Sequence, residues 1–127
     1  MTRDERGPDG SRVLALRAAS GRGAPTLLLS VQREGEITAA TLDGRPIDLS
    51  RRPPELRSRL RVLHFAVPPT GAELRLAGWG EGSVRVNVTD DSNGLPAIPG
   101  LPPRPADTMP TLYDFADPTV VTRAFTF

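Results

Sequence analysis

Five arginines crowd into the stretch RRPPELRSRLR, at Arg51, Arg52, Arg57, Arg59 and Arg61. Guanidinium groups at this density suit phosphates or anionic lipid headgroups, which they bind through forked, charge-assisted hydrogen bonds. The plainer alternative is a solvated face with a local pair to Glu55. No aromatic residue interleaves within the stretch to stack bases, so nucleic acid is a poor fit. Trp79, in GWGEG, is a second candidate. A Trp on a glycine-rich turn suits sugar stacking or anchoring of a partner, and equally a plug at one end of a fold. His64 is the single histidine, and there is no cysteine. A lone histidine does not build a zinc site, and no serine sits in a nucleophile elbow, so a structural or surface role is expected. The run DDSNG at 90–94 clusters oxygen ligands of the calcium type, but EF-hand spacing and the distal glutamate are absent. It reads as a polar turn after a strand, with Asp and Asn bonding their own backbone. NVT at 87–89 matches a glycosylation sequon but falls inside an expected strand. No catalytic residue and no metal ligand is assigned.

Length and composition frame these candidates. A chain of 127 residues is one domain by length, large enough to bury a core without staples. The apolar fraction is low at 38%, but the net charge is only +1, so the imbalance that favours disorder is missing. All 16 basic residues are arginine. The near-neutral balance gives no long-range field for nucleic acid. The N-terminal MTRDERGPDG is charged where a signal peptide would be apolar, and no stretch is long and apolar enough to span a bilayer.

The elements that must position the candidates are short and β-like. RVLALRAA (12–19), TLLLSVQR (26–33), EITAATL (36–42), LRVLHFAV (60–67), AELRLAG (72–78), SVRVNVT (83–89) and TVVTRAFTF (119–127) are separated mostly by Gly, Pro and Asp-Gly signals. RPIDLS (45–50) is the expected return strand after Asp43-Gly44. SVRVNVT alternates, with Val84, Val86 and Val88 on one face and Arg85 and Asn87 on the other. Helical periodicity is weak; only PPELRSRLRVL (53–63) suits a turn or two, started by its prolines. The pattern predicts an all-β fold, a two-layer antiparallel β-sandwich. Residues 1–10 are expected to be a flexible segment, and 11–127 a single domain.

Between the last two strands lies a proline-rich segment, 94–118, with Leu95, Ile98, Leu101, Met109, Leu112, Tyr113 and Phe115. So many apolar groups favour an ordered, extended crossover lying along the sandwich over a structureless loop. It would carry the last strand back to pair with one formed much earlier.

The run DDSNGLPAIPGLPPRPADTMP, followed by DPTVVTRAFTF, resembles the C-terminal region of large multi-pass membrane proteins among the family-28 zinc metallopeptidases. It is similar to the vacuolar membrane protease group and its actinobacterial relatives. The shared pattern is a strand ending in Ser-x-Gly-Leu-Pro, then Pro-Pro-Arg-Pro-Ala-Asp-x-Met-Pro, then a short final strand. The resemblance covers residues 11–127 and is most specific over 90–127. In such proteins a peptidase domain comes first, transmembrane helices follow, and a soluble β-rich domain ends the chain outside the cytoplasm. The family's zinc ligands and catalytic glutamate belong to the peptidase domain. Nothing in this chain matches that motif, so no catalytic residue carries over, and zinc is expected only in the parent's peptidase domain.

The resemblance therefore implies a non-catalytic, extracytoplasmic domain of a membrane-bound zinc peptidase, structural or controlling substrate access. Its partners would be the peptidase and transmembrane domains of the parent and the membrane surface, with no nucleic acid. The alternative is a free-standing carbohydrate- or protein-binding β-sandwich module that uses Trp79.

Overall fold

A computed structural model describes residues 2–93, 99–100, 102, 105–107 and 118–127; the side chains of Trp79, Asn93 and Pro118 fall outside the description. The proposed ordered crossover lies mostly outside the described residues, as does Leu101. The described residues form nine strands: β1 (Thr2–Arg6), β2 (Ser11–Ala18), β3 (Thr26–Arg33), β4 (Ile37–Leu42), β5 (Arg45–Pro46), β6 (Arg59–Phe65), β7 (Ala72–Trp79), β8 (Val84–Asn93) and β9 (Pro118–Thr126). They form two sheets, ordered β1-β2-β7-β4-β5 and β6-β3-β8-β9. Every pairing is antiparallel, and the sheets pack face to face as a β-sandwich. Among the described residues no helix is long and apolar enough to cross a membrane.

Period-two patterning explains the layers. In β2, Leu14, Leu16 and Ala18 point inward; in β3, Leu27, Leu29 and Val31 do the same. Leu74 and Leu76 of β7 and Val84 and Val86 of β8 complete the centre of the core. Each such Leu or Val contributes roughly 1.5–3 kcal/mol by leaving water.

Four local expectations are corrected. Before Ser11 the chain is an edge strand, β1, paired with β2 from Thr2↔Leu16 to Arg6↔Arg12. The return strand after Asp43-Gly44 shrinks to Arg45–Pro46, because Pro46 lacks an N–H and Asp48 turns the chain by accepting the Ser50 N–H at 2.9 Å. Asp90–Asn93 is not a turn: β8 runs through it, pairing with both β3 and β9. Finally, β9 does not pair with an early strand. It pairs with β8, its immediate predecessor, from Asn93↔Pro118 to Arg85↔Thr126. Hairpin pairing closes the shortest available loop, and the outer edge of β8 was open to it.

The helix-like stretch 53–63 yields one 3-10 turn, Pro54–Leu56, before β6 begins.

Among the described residues β9 is the last strand of its sheet. Val84 and Phe127 exchange both backbone hydrogen bonds, at 3.0 and 2.9 Å. Counting back along an antiparallel ladder, Val120, Thr122, Ala124 and Thr126 must direct their N–H and C=O groups away from β8.

Candidate functional site

The outer face of the four-stranded sheet gathers the chemistry. Register places four cross-strand rows on it: Phe65–Thr26–Asp91–Val120, Leu63–Leu28–Thr89–Thr122, Arg61–Ser30–Asn87–Ala124 and Arg59–Gln32–Arg85–Thr126. The face is therefore graded along the strands. One end carries the exposed apolar side chains, Phe65 65%, Leu63 54% and Val120 54% exposed, among Thr26, Thr89, Asp91 and Thr122. The other end is cationic. The alternation that buries Leu60 of β6 turns Arg59, Arg61, Leu63 and Phe65 outward together.

Over the cationic end lies a cleft of about 630 Å³, lined by Arg52, Arg59, Arg61, Arg85, Gln32 and Asn87 among others. Arg59, Arg61 and Arg85 have no carboxylate partner among the described residues. Arg52 donates from Nη2 to the Leu56 carbonyl, while its Nη1 is enclosed without a hydrogen-bond partner among the described residues. Asp48 is the acidic group on the rim; the Ser50 hydroxyl and N–H hold its carboxyl below the ordinary range. Over the apolar end is a second hollow of about 410 Å³, lined by Pro25, Thr26, Leu28, Leu63, Phe65, Thr89, Asp91 and Val120.

The five arginines of the sequence cluster thus divide. Arg52, Arg59 and Arg61 reach the cleft. Arg51 is exposed in the preceding turn. Arg57 faces Glu36 at 3.7 Å, not Glu55, on the side of the other sheet. Arg85 joins the cleft from β8, which the one-dimensional cluster does not reveal; its place on the polar face of SVRVNVT was the available signal. Trp79 ends β7, opposite Ser11, and its side chain lies outside the described structure. His64 points between the sheets, with Nε2 3.2 Å from Asp43 Oδ2 in the β4–β5 turn but not aligned for a hydrogen bond. Asn87 of the sequon lies mid-strand.

Other charged groups are committed to architecture. Arg12, 2% exposed, donates from Nε and Nη2 to both oxygens of Asp4, each at 2.8 Å, and from Nη1 to the Gly82 carbonyl at 2.6 Å. Hydrogen bonding from Arg12, opposed by burial, holds the Asp4 carboxyl below its ordinary range. Arg33, also buried, donates to the carbonyls of Glu34 at 3.3 Å and Gly80 at 3.4 Å. Its guanidinium occupies the space a side chain at Gly78 would need. Burial and the neighbouring Arg12 charge lower the Arg33 pKa.

At the opposite end Asp90 accepts a hydrogen bond from Ser20 Oγ at 2.6 Å and another from Arg22 Nη2. Burial pushes its pKa up, but the bonds from Arg22, Ser20 and the Val121 N–H outweigh this, and the net shift is downward. Among the described residues no group of three or more His, Cys, Asp or Glu side chains is placed to hold a metal ion.

Compared with family models, with curated proteins and with solved structures, the chain matches none of them.

Proposed function

We propose that this chain is a non-catalytic accessory module, the extracytoplasmic C-terminal domain of a membrane-bound zinc peptidase, and that it works by surface contact. The resemblance of residues 90–127 to that family supplies the parent; the division of labour among charged groups supports the mode of action. A general acid or base works best with a pKa near the operating pH. Two carboxylates bound by arginine, Asp4 and Asp90, are displaced the other way, held ionised by Arg12, Arg22 and Ser20. Arg59, Arg61 and Arg85, which have no acidic partner among the described residues, share one sheet face with the exposed apolar side chains of Leu63, Phe65 and Val120. That single observation carries the reading: the face is built to meet something.

The reading makes two checkable statements. The purified chain, with or without added zinc, is expected to give no turnover of aminoacyl substrates; chelator-resistant hydrolysis that scales with its concentration would overturn it. The coding sequence immediately upstream is expected to specify transmembrane segments preceded by a His-, Asp- and Glu-rich peptidase domain.

A further inference from the structure

We infer that the outer face of the β6-β3-β8-β9 sheet docks on an anionic lipid bilayer, apolar end first. This deepens the proposed accessory role by naming the surface met, and rests on that role only for where the membrane would be.

The order of the rows carries the inference. Side chains on one face of a strand recur every two residues, about 6.7 Å apart. From Phe65 the next outward residues of β6 are Leu63, Arg61 and Arg59, at roughly 7, 13 and 20 Å. Each polar headgroup layer of a bilayer is about 5–8 Å deep. With Phe65, Leu63 and Val120 at the hydrocarbon boundary, Arg61 stands at the depth of the phosphates, and Arg59 and Arg85 follow one row behind.

A soluble phosphate or polyanion would use the arginines and leave Phe65, Leu63 and Val120 in water. A bilayer takes up both halves in the order in which the strands present them. Hydrocarbon contact and headgroup attraction add in this kind of binding. Asp91, in the Phe65 row, opposes it, and Asp48 stands on the rim of the arginine cleft. Four arginines against these carboxylates leave the face positive.

The test uses the full chain and sedimented vesicles of phosphatidylcholine with or without phosphatidylglycerol at low salt. Retention is expected only with phosphatidylglycerol, weakening as salt rises. One basic residue near such a surface is worth about fivefold in partitioning. The Arg59→Gln/Arg61→Gln/Arg85→Gln triple variant should therefore lose about a hundredfold, while Arg75→Gln, on the other sheet, loses none beyond general charge. Leu63→Ser/Phe65→Ser should also weaken binding, and since both side chains are already exposed its denaturation midpoint should match the wild type.

Orientation has its own readout. The chain has no cysteine, so Leu63→Cys and Arg75→Cys each give a unique site for an environment-sensitive dye. The dye at 63 should shift to the blue on anionic vesicles and the dye at 75 should not. Equal retention on both vesicle types, an unchanged triple variant, full binding by Leu63→Ser/Phe65→Ser, or equal shifts at both dyes would each overturn the docking mode. Full binding by Leu63→Ser/Phe65→Ser would leave a general polyanion site. None of these outcomes bears on turnover, so the accessory role stands or falls separately by its hydrolysis test.

Discussion

Asp90 illustrates how a residue that looks like turn chemistry becomes a structural anchor. Its carboxylate collects Ser20 Oγ and Arg22, while Ser20 Oγ itself accepts the N–H groups of Arg22 and Ala24, each at 3.1 Å. The β2–β3 connection is thereby tied to β8. Asp90→Asn should destabilise by about 1–3 kcal/mol, the range for a hydrogen bond to a charged group, tempered because Arg22 is partly open to water. The pH dependence follows from the direction of the shifts. Asp4 and Asp90 both have folded pKa values below the unfolded value of 3.8. The unfolded chain then takes up protons first as the solution is acidified. Their contribution is complete above about pH 5 and is lost progressively as pH falls below 4 through the folded values. Denaturant midpoints should be flat from pH 7 to 5 and drop below that; the Asp4→Asn/Asp90→Asn double variant should lose much of the drop. Gly78 presents the opposite case, a residue valued for having no side chain. A Cβ there would run into the Arg33 guanidinium and the Glu36 carbonyl. Gly78→Ala should cost about 1–3 kcal/mol by overpacking, read as a lower denaturant midpoint.

At the scale of elements, the central strands bear the stability and the edges bear the surprises. Leu29, fully buried on β3 between β6 and β8, should cost about 2–5 kcal/mol on replacement by Ala; the same change at exposed Leu63 should stay within about 0.5 kcal/mol. The strands that alternate under a buried face were legible, because SVRVNVT can satisfy only one pattern of inside and outside, whereas LRVLHFAV carries apolar residues on both faces. β1 was not legible from that signal: TRDER has every side chain exposed, so it offers no alternation to read. Its clue was the neighbouring Asp9-Gly10, the same hairpin dipeptide as Asp43-Gly44. Which strands pair was also beyond the pattern, since alternation fixes the face of a strand and not its neighbour. The arginine face was half legible for the same reason. Arg59 and Arg61 are close in sequence, but Arg85 reaches them only through the β3–β8 register, and Arg12 and Arg33 find their partners across turns remote in the chain.

For the molecule as a whole, the two layers have different outer characters. The four-stranded sheet offers the graded apolar and cationic face; the five-stranded sheet carries Arg17 paired with Glu73 at 3.4 Å and Arg3 paired with Glu5. A near-neutral chain so arranged is polar in the literal sense, with an orientation at any charged boundary and almost no net drift in a uniform field. Its electrophoretic mobility near neutral pH should be small, while retention on a cation exchanger should exceed what that mobility suggests and fall in the Arg59→Gln/Arg61→Gln/Arg85→Gln variant. The outward amides of β9 bring a different consequence, which belongs to the bottle and not to the cell. Val120, Thr122, Ala124 and Thr126 form a template edge in a strand whose sole charge is Arg123 and which exposes Val120, Val121 and Phe125. Concentrated stocks should thicken slowly at temperatures far below the melting transition, since edge-to-edge growth requires no unfolding. Light scattering over days at rising concentration reads this, and Ala124→Lys, a charge set on the open edge, should lengthen shelf life while leaving the melting temperature nearly where it was.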